Sequence, residues 1–105
     1  MAQVNAKILD IIRRFISEAT KYNIHIQQAV LFGSYAKGTN NEWSDIDVAI
    51  VSSDFIGLRY LDNQKISRPK LNISYDIETH PFRPEDFNED NPFVKEILSS
   101  GVRIL

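Results

Sequence analysis

The chain contains no cysteine. That excludes a disulfide framework and any cysteine-held zinc site, and it fits a cytoplasmic protein. No apolar run approaches the ~18 residues of a membrane span. The opening MAQVNAKILDIIRRF sets acidic and basic residues inside its apolar pattern, unlike a signal peptide. A basic excess is missing as well: 12 Lys and Arg face 14 Asp and Glu, for a formal net charge of -2. No nucleic-acid footprint is expected from that balance. Repeats, low-complexity tracts and internal linkers are also absent. What remains is ordinary for a globular chain, 43% hydrophobic and 25% charged over 105 residues. One domain spanning 1–105 is expected, with roughly two-thirds of its unfolded surface buried and little chain left for a second, substrate-binding lobe.

The hydrophobic pattern predicts the elements. Val4, Ile8, Ile12, Phe15, Ala19 and Tyr22 recur at spacings of three and four, which predicts an amphipathic helix from Val4 to Tyr22. AVLFG (Ala29 to Gly33) reads as a short buried strand ended by glycine. SYAKG fits one or two helical turns closed by Gly38, and TNNEW reads as loop. DIDVAIV is a strand whose second half is apolar on both faces, as in a central strand. From Ser52 to Lys70, Gly57, Asp62-Asn63 and Pro69 punctuate the chain, and a loop with some helix is expected. LNISYDIE alternates and reads as a strand, followed by a turn-rich HPFRP. Asn91 caps a last helix with Pro92 in its first position and Gly101 past its end. VRIL closes as a short strand. The order predicts an α+β fold, a small mixed sheet packed against helices.

Two strands carry paired acids. Strand side chains alternate, so Asp45 and Asp47 share a face, about 6.5 Å apart by strand rise. Ile46, Val48 and Ile50 take the opposite face. Asp76 and Glu78 repeat the pattern. Where the two acidic faces meet, carboxylates converge without a base from the same strands. Like charges repel and are costly to desolvate, and a divalent cation relieves both. Carboxylates with substrate phosphates are the usual surroundings of Mg²⁺. The competing reading is solvated acids that discourage edge pairing. Upstream, Gly33 lets backbone approach a phosphate, and Ser34 adds a hydroxyl at the first N–H groups of a helical turn.

GSYAKGTNNEWSDID resembles the signature of the polymerase-beta-like nucleotidyltransferase superfamily: Gly-Ser, ten residues, then Asp-x-Asp. The chain looks like a minimal member of that superfamily. The resemblance implies that Asp45 and Asp47 ligate Mg²⁺ (two ions) and that Gly33 and Ser34 hold the β- and γ-phosphates of ATP or another nucleoside triphosphate. It implies a third carboxylate from a neighbouring strand. Asp76, an acid between apolar residues in YDI, matches that position, with Glu78 as its rival. Minimal members are often paired with a small helical HEPN-type protein in toxin–antitoxin modules, where they act as antitoxin and transfer AMP to a tyrosine of the toxin. The expected chemistry is in-line attack of a hydroxyl on the α-phosphorus with release of pyrophosphate, Asp76 accepting the hydroxyl proton.

Other residues divide between functional and structural readings. Lys37 is placed to steer a triphosphate and is equally a solvated charge. Thr39 and Ser44 shape the loop. Trp43 either covers the nucleotide or a partner, or anchors the loop in the core. His25 and His80 share no metal-ligand spacing, and a surface position is expected for His80. Two other functions compete with protein modification: a non-catalytic module that masks a partner toxin, and a nucleotidyltransferase for a small-molecule acceptor. No membrane association is expected, and the chain is compatible with an oligomer.

Overall fold

The computed structural model describes residues 4–105. Its order is α1 (Ala6–Thr20), β1 (Gln28–Phe32), α2 (Ser34–Lys37), β2 (Ile46–Val51), α3 (Arg59–Ile73), β3 (Ile77–Phe82), a short 3-10 helix (Pro84–Asp86), α4 (Pro92–Ser100) and β4 (Val102–Arg103). The four strands form one mixed sheet in the order β3-β2-β1-β4. β1 runs antiparallel to β2 and β4, and β2 runs parallel to β3. The predicted α+β architecture is the one found.

The 3.6-residue spacing of α1 places Ile8, Ile12, Phe15 and Ala19 inside, and the Asn5 side chain caps the helix by accepting from the Lys7 N–H at 2.7 Å. These residues pack on one sheet face, against Ala29, Leu31, Ile46, Val48, Ile50 and Ile77. Each fully buried large aliphatic or aromatic side chain contributes about 1.5–3 kcal/mol. The other face carries Val30 and Ala49 under Ile97 of α4, with Phe32, Phe82, Phe87 and Phe93 alongside. β2 is therefore covered on both sides. Its alternation sends Ile46, Val48 and Ile50 to the helical core and leaves Asp47 on the α4 side.

The structure departs from the sequence reading between Ser52 and Glu78. The stretch expected as a loop with some helix holds a 15-residue helix, α3, which runs through Pro69 and takes up Leu71 to Ile73 of the expected strand. β3 then begins at Ile77 and absorbs His80, Pro81 and Phe82 from the expected turn. Pro81 is tolerated because β3 lies at the sheet edge. Polar contacts, more than an apolar stripe, hold α3. Asp62, 1% exposed, accepts the Ile56 and Gly57 N–H groups at 2.9 Å each. The Thr79 hydroxyl donates to Asn63 Oδ1 at 2.7 Å, and Asn72 donates to Glu18 and Tyr22 of α1.

Asp62→Ala strips two backbone donors of a charged acceptor. It should cost about 2–3 kcal/mol. For a domain of this size the melting temperature falls by about 10 °C or more. A calorimetric shift below about 2 °C would show that solvent replaces the carboxylate.

Candidate active site

The Gly33 turn, the start of β2 and the start of β3 meet on the α4 side of the sheet. Gly33 ends β1 at φ 75 and ψ -152, a backbone region open almost only to glycine. A Cβ there would fall 2.5 Å from Asp47 Oδ2. The glycine thus lets the turn lie directly on the aspartate. α2 starts at Ser34 and closes at Gly38, whose N–H donates to the Ser34 carbonyl.

Parallel pairing sets Asp47 opposite Glu78 and Ala49 opposite His80. One ligand atom each from Asp47, Glu78 and His80 lie within 4.8 Å of one another. Burial raises the Asp47 pKa; the neighbouring Glu78 carboxyl pulls it down by hydrogen bonding, and the Asp45 charge pushes it up. Glu78 is also raised, first by burial, then by the hydrogen bond and charge of Asp47, with Asp45 adding repulsion and His80 opposing it. Asp47 and Glu78 thus act on one another across the strands, with Asp45 near enough to act on both. A proton that binds more tightly than usual marks a place where a cation is favoured. These hard oxygen donors fit a divalent ion such as Mg²⁺.

Asp76 stands in the turn before β3 and is exposed. Its carbonyl accepts the Ile46 N–H at 2.8 Å, and its own N–H donates to Ser74 Oγ at 3.1 Å. It is not part of the Asp47–Glu78–His80 group. The residue paired with Asp47 across the strands is Glu78, which the sequence reading had ranked second.

His80 is a correction. Expected at the surface, it is 7% exposed and part of the site. Its ring meets Phe32 at 4.9 Å and Phe93 at 5.8 Å, both edge-on. Its Nε2 lies 3.3 Å from Asp47 Oδ1, and its Nδ1 lies 2.8 Å from Arg59 Nη2. Burial lowers its pKa first, and the Arg59 charge lowers it further. Sequence reasoning passed over Arg59 altogether. Trp43 does not anchor the loop in the core, being 84% exposed. Ser44 does shape that loop, its hydroxyl accepting the Asn41 N–H at 3.0 Å. Lys37 is exposed. A cleft of about 600 Å³ opens beside His80, lined in part by Arg59, Phe82, Arg83, Asn91 and Phe93.

Residues 9–104 match the family described as "Nucleotidyltransferase domain". Two curated relatives from Methanocaldococcus jannaschii are each named "putative protein adenylyltransferase". One is 30% identical over 101 residues, covering 93% of this chain and 99% of the relative. The other is 30% identical over 92 residues, covering 81% of this chain and 61% of the relative. Among solved structures, a "putative nucleotidyltransferase" from Sulfolobus solfataricus superposes with a TM-score of 0.65 at 17% identity, over 92% of this chain and 78% of that one. A mutant of the MntA-HpeT toxin–antitoxin superposes with a TM-score of 0.54 at 21% identity, over 94% of this chain and 70% of that one.

Proposed function

Since this chain belongs to the nucleotidyltransferase domain family, we propose that it is a Mg²⁺-dependent protein adenylyltransferase. It moves AMP from ATP to a hydroxyl, a tyrosine of a helical HEPN-type partner, and so acts in the cytoplasm as the antitoxin of a pair. The observation that carries this is the Asp47–Glu78 pair with Asp45 beside it, against the glycine of the signature turn. The relatives' protein adenylyltransferase names support the AMP reading.

Asp45, Asp47 and Glu78 would hold Mg²⁺, which supplies the positive charge that neutralises triphosphate and pyrophosphate oxygens. Gly33 and Ser34 cradle the β- and γ-phosphates, and Lys37 draws the triphosphate in. The acceptor oxygen attacks the α-phosphorus in line. The bond to the bridging β-phosphate oxygen breaks, and pyrophosphate leaves. Glu78, opposite Asp47 on the neighbouring strand, takes the hydroxyl proton. Placement of the two reactants supplies much of the rate. With one small sheet to build on, the chain relies on its partner for both the nucleophile and a wall of the pocket.

Glu78 and the turn acid Asp76 remain rivals for the third carboxylate, and label from the α-phosphate of ATP separates them. Glu78→Gln should cut transfer to the partner by about 10³-fold, and Asp76→Asn by less than about 10-fold. The reverse ranking would give the role to Asp76. Absence of label transfer from the parent protein would overturn the enzymatic reading.

A second reading is a module that masks its partner without chemistry. It is favoured by exposed Ile56, Leu58, Tyr60 and Leu61 around the start of α3, at 57%, 58%, 76% and 43% exposure. Such apolar exposure suits a contact surface.

A further inference from the structure

The chain Arg59–His80–Asp47 fixes a proton. Arg59 Nη2 faces His80 Nδ1 at 2.8 Å, and His80 Nε2 faces Asp47 Oδ1 at 3.3 Å. A guanidinium carries only donors and stays protonated. The nitrogen it meets must offer a lone pair. Nδ1 is therefore bare, the imidazole's single proton sits on Nε2, and Nε2–H donates to Asp47 Oδ1.

This arrangement bears on what His80 does beside the carboxylates. To bind a cation, Nε2 would have to surrender its proton to Nδ1, where it would point at an Arg59 N–H. Donor would then face donor in a site where His80 is 7% exposed. The ring has little room to escape, with Phe32 and Phe93 edge-on against it. Asp47 is meanwhile held through one oxygen. Oδ1 takes the imidazole proton, and Oδ2 faces the Gly33 turn.

We infer that Arg59 and His80 are positioning residues that hold Asp47 by one oxygen, and that His80 does not itself ligate the cation. The carboxylate is thereby aimed before metal or nucleotide arrives. The consequence for catalysis rests on the nucleotidyltransferase reading above, whereas the proton assignment can be read without any activity.

The test is nitrogen NMR of ¹⁵N-histidine-labelled protein carrying His25→Gln. The chain has two histidines, so that substitution leaves His80 as the only imidazole. The expected spectrum shows Nε2 protonated and Nδ1 bare, unchanged when Mg²⁺ alone is added. In Arg59→Met the lock is released and the Nδ1–H form appears. Steady-state transfer by Arg59→Met should then show kcat lower by about tenfold with KM for ATP unchanged, the pattern of a lost aiming contact. Transfer of the proton to Nδ1 on Mg²⁺ addition would overturn the inference and make His80 a ligand. A raised KM for ATP in Arg59→Met, with the His80 proton still on Nε2, would equally overturn it and make Arg59 a phosphate contact. If no transfer is found in any protein, the nucleotidyltransferase reading falls, and the nitrogen spectra still decide the relay.

Discussion

Asp47→Asn should lower AMP transfer by about 10³-fold, a loss of about 4 kcal/mol of transition-state stabilisation, without lowering the melting temperature. Asparagine keeps the carbonyl oxygen that accepts from His80 and gains an amide to offer Glu78. It removes a carboxylate whose own pKa is raised first by burial and whose hydrogen bond and charge, after burial, raise that of Glu78. Under the proposed function the two effects diverge, because a carboxylate that would hold the cation is one the bare fold must tolerate. The pH dependence has a definite sign. Both carboxyls have folded pKa values above their ordinary ones, so the folded protein binds more protons than the unfolded chain across that interval. Their penalty is absent at low pH and grows as pH rises from the ordinary carboxylate range through the raised values. Asp54 and Asp86 act oppositely, held low by His25 and Arg83 respectively. The difference between parent and variant isolates the pair. Melting curves without metal should show Asp47→Asn gaining on the parent as pH rises toward neutrality. A variant that loses ground over that interval would mean that Asp47 is a stabilising acid and not a strained one.

Gly33→Ala should be nearly as damaging, through geometry alone. At φ 75 and ψ -152 an alanine is strained by about 1–3 kcal/mol. Its Cβ would also meet Asp47 Oδ2 at 2.5 Å, so either the turn or the carboxylate must move. A shift of about 1 Å in a reacting group costs about 100-fold in rate. The expected result is a folded protein, less stable than the parent, with transfer reduced by about 100-fold or more. Transfer within a factor of about three of the parent would show that the turn need not touch Asp47.

The residues that proved legible share one property: their signal is local. α1 shows itself through Ile8, Ile12, Phe15 and Ala19, which keep helical period and do become core. β2 shows itself because Ile46, Val48 and Ile50 alternate with Asp47. The Gly-Ser turn follows β1 and Asp47 lies on β2, antiparallel neighbours in which Phe32 pairs with Asp47, so fixed spacing carries Gly33 against that aspartate. α3 was not legible. Its buried residues are Asp62, Ile66 and Pro69, an acid and a helix breaker among them. Asp62 binds backbone N–H groups five and six residues upstream, and Asn63 and Asn72 reach β3 and α1, polar contacts that no period reveals. Missing α3 moved the expected start of β3 toward Leu71, and His80 with it into a turn. Once β3 begins at Ile77, parallel register brings Glu78 to Asp47 and His80 to Ala49. Arg59 reaches the site only because α3 folds back over that edge.

The most direct test of the proposed function is the intact mass of a helical HEPN-type protein, taken from a reading frame adjacent to this one, after incubation with the protein, Mg²⁺ and ATP. The predicted result is a gain of one or more AMP units, with the modified residue a tyrosine, and no gain with the Asp45→Asn/Asp47→Asn variant. A stable complex whose partner keeps its mass under several nucleotides and metals would contradict it, and would leave a protein that acts by masking alone.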